Sequence, residues 1–407
     1  MTFTTRLGSS NLYDSGLRNI TSRQADLSGL QENLTSGKKV VRASDDPTGI
    51  AQAERALTRM SRIQTDQRAL ESQKNSIAMA ESTLGDVTSA LQNFRELVVS
   101  AGNGAFSQAE RQTVALQLTG LRDQIVALAN RNDTNGMPLF AALGSALAPF
   151  VGPTTPTDYT FNGLPGQSAS NEVSIPYALD GDSAFMLTTA RDGAYNVTTS
   201  NPALSTSGVS VTNTADVANT SYSINFISVA TGATTGSTDV TYEITNSSGA
   251  LVASGSTSYV NGQSYTVTGM PGLSMTLSGT PIPGDTVSVD PSASLFSVLD
   301  DAIRDIGGAA NTASASQAVG QALHNIDIGM NRVSAVRGLA GDLLNRADRI
   351  SANQEVRSIQ LEADRSRAED LDMIKGISDF QNQQTGYQAA LQSYAQIQKL
   401  SLFNFIG

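Results

Sequence analysis

The residues of this chain that could do acid–base or metal chemistry are few. There is one histidine, His324, no cysteine and no tryptophan. Thiolate chemistry, disulfides and cysteine metal sites are therefore excluded. His324 has no neighbouring metal-ligand motif such as H-E-x-x-H. In the heptad frame set out below it falls at an outward f position, which makes it a surface histidine rather than a base or ligand. Two carboxylate doublets, Asp45-Asp46 and Asp300-Asp301, have the composition of a general acid/base pair. Both read more simply as capping or dipole charges in the first turns of helices. No glycine-rich run matches a phosphate-binding loop or a dinucleotide fingerprint. The sequons at Asn196, Asn219 and Asn246 are what a Ser/Thr/Asn-rich block yields by chance. The sequence predicts no enzyme, no cofactor and no metal.

The chemistry that the spacing does support is helix packing. Taking Val319 as heptad position a, the series continues through Ile326, Val333, Ala340, Ala347, Gln354, Leu361 and Ala368. The d positions run Ala322, Gly329, Val336, Leu343, Ile350, Arg357, Asp364 and Leu371. Such a repeat, free of proline, is the seam of a long helix lying on another helix. Beyond Leu371 the frame shifts to a second seam of Ile377, Phe380, Gln384, Tyr387, Leu391 and Tyr394. It ends in the apolar tip that carries Leu400, Leu402 and Phe403.

The N-terminal arm repeats the theme more thinly. Tyr13, Ile20, Leu27 and Leu34 stand seven apart, with Leu17 and Leu30 on the same side. One strong apolar position per heptad gives too little burial to offset the backbone entropy of ordering seven residues. The arm is thus expected to be unfolded alone and to order when packed among neighbours. Polar seam positions (Gln24, Gln31, Gln384, Gln398) suit a multi-chain bundle in which they fix register.

Between the arms, Asp46 as N-cap and Pro47 at the first helical position open a long helix. Its a positions are Ala56, Ile63, Leu70, Ile77, Leu84, Leu91 and Val98. From Ile77 the d positions Ala80, Val87, Phe94 and Ala101 are apolar as well. This helix is expected to pack within the chain against Val319–Leu371. Gly102-Asn103-Gly104 ends it, and Ser107-Gln108-Ala109-Glu110 is a capping box for the next helix. A turn follows at 130–136. From about Pro153 to Asp290 the composition changes to Thr, Ser, Gly, Asn and Val, with alternating runs such as 222–226 and 240–244. Short strands at that spacing predict a small β-sandwich or barrel. Helix returns at Ser294.

The fold class expected is therefore α+β and multidomain: helical bundles formed by both termini with an inserted all-β domain. The divisions predicted are arms 1–43 and 376–407, a bundle of 44–152 with 293–375, and a β insertion of 153–292. The 407 residues carry 26 Lys+Arg against 37 Asp+Glu, a net charge of −11 and a pI near 4.6. That acidity argues against a nucleic-acid binder. It is concentrated: thirteen Asp/Glu but only one basic residue, Arg191, lie between Arg131 and Arg304. Residues 1–6 have no apolar stretch of the cleavable-signal type. The most apolar window, 137–152, is shorter than a bilayer span, so no membrane insertion is expected.

The arm ending in Leu34-Thr35-Ser36-Gly37-Lys38-Lys39-Val40, followed by Ala43-Ser44-Asp45-Asp46-Pro47-Thr48-Gly49, resembles the N-terminal signature of the flagellin superfamily. So does the hairpin sequence of 130–140. The ending Tyr387 to Phe403 is similar to the hook-associated branch of that superfamily rather than to flagellin itself. The short run Leu277-Ser278-Gly279-Thr280-Pro281, followed by Gly284-Asp285, also resembles that branch. The resemblance implies a layered subunit: terminal arms inside around an export channel, longer helices in the middle, and the β block outside. It implies an extracellular structural adaptor of the bacterial flagellum, joining hook-associated protein 1 to flagellin by helical self-assembly. It further implies a flagellar export chaperone and passage through the type III export apparatus without cleavage. The assembly residues it points to are the seam positions Tyr13, Ile20, Leu27, Leu34, Ile377, Phe380, Tyr387, Leu391, Tyr394, Leu400, Leu402 and Phe403. Two rivals stand beside it, a minor flagellin and a secreted adhesin whose β domain binds a ligand.

Overall fold

The computed structural model describes the backbone of residues 9–154 and 158–406, and the side chains of 14–154 and 158–396. Three long helices follow from the patterns above: α1 (Ser9–Ser36), α2 (Pro47–Ala101) and α3 (Gln108–Ala129). The helix starts are built as expected. The Thr48 and Gly49 N–H groups donate to Asp46 Oδ1 (3.0 and 2.9 Å), and Ser107 and Glu110 complete a capping box. The next elements are a hairpin, β1 (Phe150–Thr154) and β2 (Asp158–Phe161), and two short helices, α4 (Gly181–Phe185) and α5 (Thr189–Asp192). Nine further strands run β3 (Tyr195–Thr199), β4 (Ser205–Thr206), β5 (Ser210–Val211), β6 (Tyr222–Thr231), β7 (Ser237–Asn246), β8 (Leu251–Val260), β9 (Tyr265–Val267), β10 (Leu273–Ser278) and β11 (Thr286–Pro291). The chain closes with α6 (Leu295–Gly308), α7 (Thr312–Glu369) and α8 (Met373–Ile406).

The chain divides into two compact units, Met1–Arg68 with Ser351–Gly407, and Ala69–Ile350. The second unit holds both large cores. Its helical core is the seam in which α2 and α7 run antiparallel, pinned by Lys74–Asp348 (2.7 Å), Glu81–Arg337 (2.7 Å) and Arg95–Asp327 (3.0 Å). Ile77, Leu84, Leu91, Phe94, Val98, Ile326, Val333, Ala340 and Ala347 are buried in it, with α3 and α6 packed alongside. The expected intramolecular pairing of these helices is what the structure shows in this unit.

The inserted domain is a sandwich. Strands β3-β11-β6-β7-β8 form an antiparallel five-stranded sheet, and β4, β5, β9 and β10 form a smaller one. Tyr222, Ile224, Phe226, Tyr242 and Ile244 of the large sheet share one core with Tyr265, Val267, Met275 and Leu277 of the small one. The alternation read at 222–226 and 240–244 is the inward face of β6 and β7. The sandwich core begins at Tyr195, not at Pro153. Residues 153–187 read as part of the β block from their composition. Instead Tyr159, Ile175, Leu179, Phe185 and Leu187 pack into the helical core, where Phe150, Phe185 and Phe296 stack or meet edge-on. A Thr/Ser/Gly-rich sequence sets solubility and turn density, but its scattered aromatics choose whichever apolar surface is nearest.

The sandwich is held to α7 by amides. Gln321 Nε2 and Asn325 Nδ2, one turn apart, both donate to the Tyr195 carbonyl (2.7 and 2.8 Å). Gln317 bonds Thr206 on the same face of α7, and the exposed His324 lies against Gly208.

Candidate assembly surface

In the first unit the two ends of the chain meet. Gly16 of α1 faces the Tyr394 ring of α8, Gly386 faces the Arg23 side chain, Gln383 bonds Asp26 (3.2 Å), and Gly376 lies beside Leu34. As the α1 number rises the α8 number falls, so the pair is antiparallel. Glycine at 16, 376 and 386 lets a large side chain from the facing helix come close.

The breaks that separate these arms from the longer helices are locked to each other. Gly37, at φ +71°, turns the chain out of α1. The Lys39 N–H then donates to the Glu369 carbonyl (2.8 Å), and the Leu371 N–H donates to the Gly37 carbonyl (2.9 Å). Lys38 pairs with Glu369, which also receives Arg365 (3.2 Å), and Val40 is buried beneath. The Ser36–Val40 stretch that carries the family resemblance is thus half of a clamp whose other half is Glu369–Leu371. Sequence reasoning missed that partner because the two halves are more than 300 residues apart.

Of the seam residues, Ile20 is buried, and Leu27, Leu34, Phe380, Tyr387 and Tyr394 are half-buried. Ile377 and Leu391 remain exposed at 46% and 41%. The side chains of Tyr13, Leu400, Leu402 and Phe403 lie outside the described residues. One chain therefore brings both arms together but covers only part of their apolar surface. Leu17, Met373 and Ile374 add to the uncovered side, Ile374 being 85% exposed.

The second unit contains an acidic cleft of about 730 Å³ lined by Asp158, Asp290, Asp300 and Asp301 with Arg122 and Arg304. Helix α6 starts at Leu295 behind the N-cap Ser294, so Asp300 and Asp301 stand in its second turn, not its first. The reading of this doublet as dipole charge is corrected accordingly. Asp300 pairs with Arg122 (2.7 Å), which also donates to the Tyr159 hydroxyl (2.8 Å), and Asp301 pairs with Arg304 (2.8 Å). Ser297 Oγ donates to Asp158 (2.7 Å). Burial raises the Asp301 carboxyl to about 6, with Arg304 opposing the shift. The lining carboxylates Asp158, Asp300 and Asp301 are each tied to a cation or a hydroxyl, which is the pattern of an ion-pair network joining α3 to α6. Among the described residues no group of three or more His, Asp or Glu side chains converges as a metal site. No described helix is long and apolar enough to cross a membrane.

Comparison with known proteins bears on the same elements. The bacterial flagellin N-terminal helical region matches residues 9–144, and the C-terminal helical region matches 323–406. Together they cover more than half of the sequence. The chain belongs to the bacterial flagellin family. It is 37% identical over 149 residues to flagellar hook-associated protein 3 of Salmonella typhimurium, a match covering 36% of this chain and 46% of that protein. The aligned part thus spans just under half of that relative's length. The crystal structure of FlgL from Xanthomonas campestris superposes with a TM-score of 0.58 at 23% identity, over 76% of this chain and 98% of the other. The flagellar junction protein FlgL from Legionella pneumophila gives 0.59 at 23%, over 73% and 99%. Those two likenesses establish the fold: terminal helices with an inserted β domain.

Proposed function

We propose that this chain is a structural adaptor of the bacterial flagellum, placed at the hook–filament junction and working by packing rather than catalysis. The observation that carries the reading is the α1–α8 pair: both ends of a flagellin-family chain pack together, yet leave Leu17, Ile374, Ile377 and Leu391 uncovered. Apolar side chains aligned along a helix pair call for further helices, and identical or related subunits supply them. Similarity to hook-associated protein 3 supports the junction in preference to the filament. On this reading the arms, 1–43 and 376–407, line the inside of the assembly. The helices of 44–152 and 293–375, with the side chains of 158–187 that pack into their core, would form the middle, and the β sandwich from Tyr195 onward the outside. Hook-associated protein 1 would lie on one side and flagellin on the other. Export would run through the type III apparatus, with a chaperone holding the C-terminal arm.

Replacement of the producing strain's own copy by Leu391→Asp tests this. The expected result is an intact hook with flagellin released into the medium; normal filaments would overturn the reading. Long filaments formed by the purified chain alone would instead indicate a filament subunit.

A further inference from the structure

The acidic cleft of about 730 Å³ in the second unit has a wall built from the outer face of the large sheet. Residues alternate along the strands, so Tyr195, Val197, Tyr222 and Val289 enter the sandwich core. Asn196, Thr198, Ser221 and Asp290 face the other way and line the cleft. Asn196 and Asp290 are direct cross-strand partners, which sets their Cβ atoms about 5 Å apart. Ser221 precedes Tyr222, the partner of Val289 on the other side of β11. Helix α6 supplies another wall with Asp300, Asp301 and Arg304.

On the helix side each carboxylate is already matched by an arginine. The sheet side is not matched. Asn196 is only 7% exposed, yet its amide has no hydrogen-bond partner among the described residues. Buried amides left that way are costly and rare in folded proteins. Asp290 beside it has no ion pair, and the Ser292 Oγ below is sealed from water without a partner. Charge favours a cation here. Asp158, Asp290, Asp300 and Asp301 stand against Arg122 and Arg304, and each arginine is shared with a further carboxylate, Asp123 or Asp305. Burial holds Asp300 and Asp301 above the ordinary carboxylate range, although Arg122 and Arg304 oppose the shift. Among the described residues the carboxylates do not converge as a metal site. No aromatic side chain lines the cleft, so a flat or apolar ligand has no surface to lie on.

We propose that this cleft binds an aliphatic primary amine and seats its ammonium group between Asn196 and Asp290. An ammonium has three N–H donors and no acceptor. The Asn196 carbonyl, the Asp290 carboxylate and the neighbouring hydroxyls of Thr198 and Ser221 are the acceptors that suit it. A second ammonium further along the same ligand would meet Asp300 and Asp301 on the helix side. Such a group comes from a free polyamine or from a lysine side chain of another protein. The site belongs to the second unit and does not depend on the adaptor role of the arms.

Calorimetric titration of the full chain with spermidine, and separately with a tri-lysine peptide, tests this at constant ionic strength. Saturable one-to-one binding of either is expected. Tighter spermidine binding identifies a free polyamine, and tighter peptide binding identifies a protein lysine. Asn196→Ala and Asp290→Asn should each weaken binding about tenfold, the effect of losing one bond to a charged group. Glu243→Gln removes a charge from the same outer face, on β7 and outside the cleft, and should leave binding unchanged. No saturable binding of either amine overturns the proposal. So does magnesium displacing the amine charge for charge, or Glu243→Gln weakening binding as much as Asp290→Asn. Both results indicate attraction to the acidic block as a whole. Melting curves check folding. Asp290 is exposed, so if Asn196→Ala unfolds, Asp290→Asn alone decides, and unchanged affinity in it overturns the proposal.

Discussion

Helices α2 and α7 each run through both units, and their seams differ between the two. In 69–350, α2 has apolar residues at a and d alike from Ile77 to Ala101, all fully buried. There α7 answers with Ile326, Val333, Val336, Ala340, Leu343, Ala347 and Ile350. In the other unit only the a positions keep the pattern, with Ala56 and Ile63 on α2 and Ala368 on α7 buried. The d positions there are Arg59, Asp66, Arg357 and Asp364, which remain in or near water. Gln354 sits at an a position, buried, with both amide atoms unbonded. A two-position seam buries enough to specify a unique pairing inside one chain. A one-position seam leaves surface and charge for something else to use. The comparison teaches that a heptad by itself says little about where the partner is; the density of the seam says more.

The largest effect should come from the dense seam. Phe94→Ala removes a fully buried ring and is expected to cost about 3–5 kcal/mol, against about 2 kcal/mol for Ile63→Ala in the thin one. Hydrogen exchange followed region by region measures both, and equal losses would erase the distinction. Next is the ion-pair network of the second unit. The Asp301 carboxyl, raised to about 6 from an ordinary value of 3.8, is easier to protonate when folded than when unfolded. Its contribution is therefore most favourable below pH 4 and is lost as pH rises through 6. Asp301→Asn should leave stability unchanged below pH 4 and raise it above pH 6, by at most about 3 kcal/mol. Thermal melts at both pH values check the sign.

Gly37→Ala should cost about 1–2 kcal/mol locally. A methyl there meets nothing within 4 Å, so the penalty is that of the left-handed backbone alone. Faster tryptic cleavage after Lys38 and Lys39 is the expected readout. The smallest effect belongs to Ile374→Asp, 85% exposed, which should change the melting of the purified chain by less than about 0.5 kcal/mol. If that change nevertheless sheds filaments, the residue acts between subunits rather than within one.

Much of this was legible from one sequence. The caps at Asp46 and Ser107, the glycine stop after Ala101, the sandwich alternation and the α2–α7 seam are local or periodic signals, and the structure contains each of them. The surface position of His324 followed from its place in the heptad. What could not be read depends on residues far apart in number. Asp300 and Asp301 looked like first-turn charges until Ser294 fixed the start of α6 and Arg122 of α3 supplied a partner. Phe185 and Tyr159 gave no sign that they would leave the β block for the helical core. The clamp between Lys38 and Glu369 has no sequence signal on either side beyond a charge.

The sequence by itself determined which stretches are helix, which are strand and which faces are apolar, because those follow from residue type and a fixed repeat along the backbone. Only the tertiary structure decided which apolar faces find each other within one chain and which carboxylates lose water. Burial and pairing depend on the distance between side chains in space, and the chain's order does not contain it.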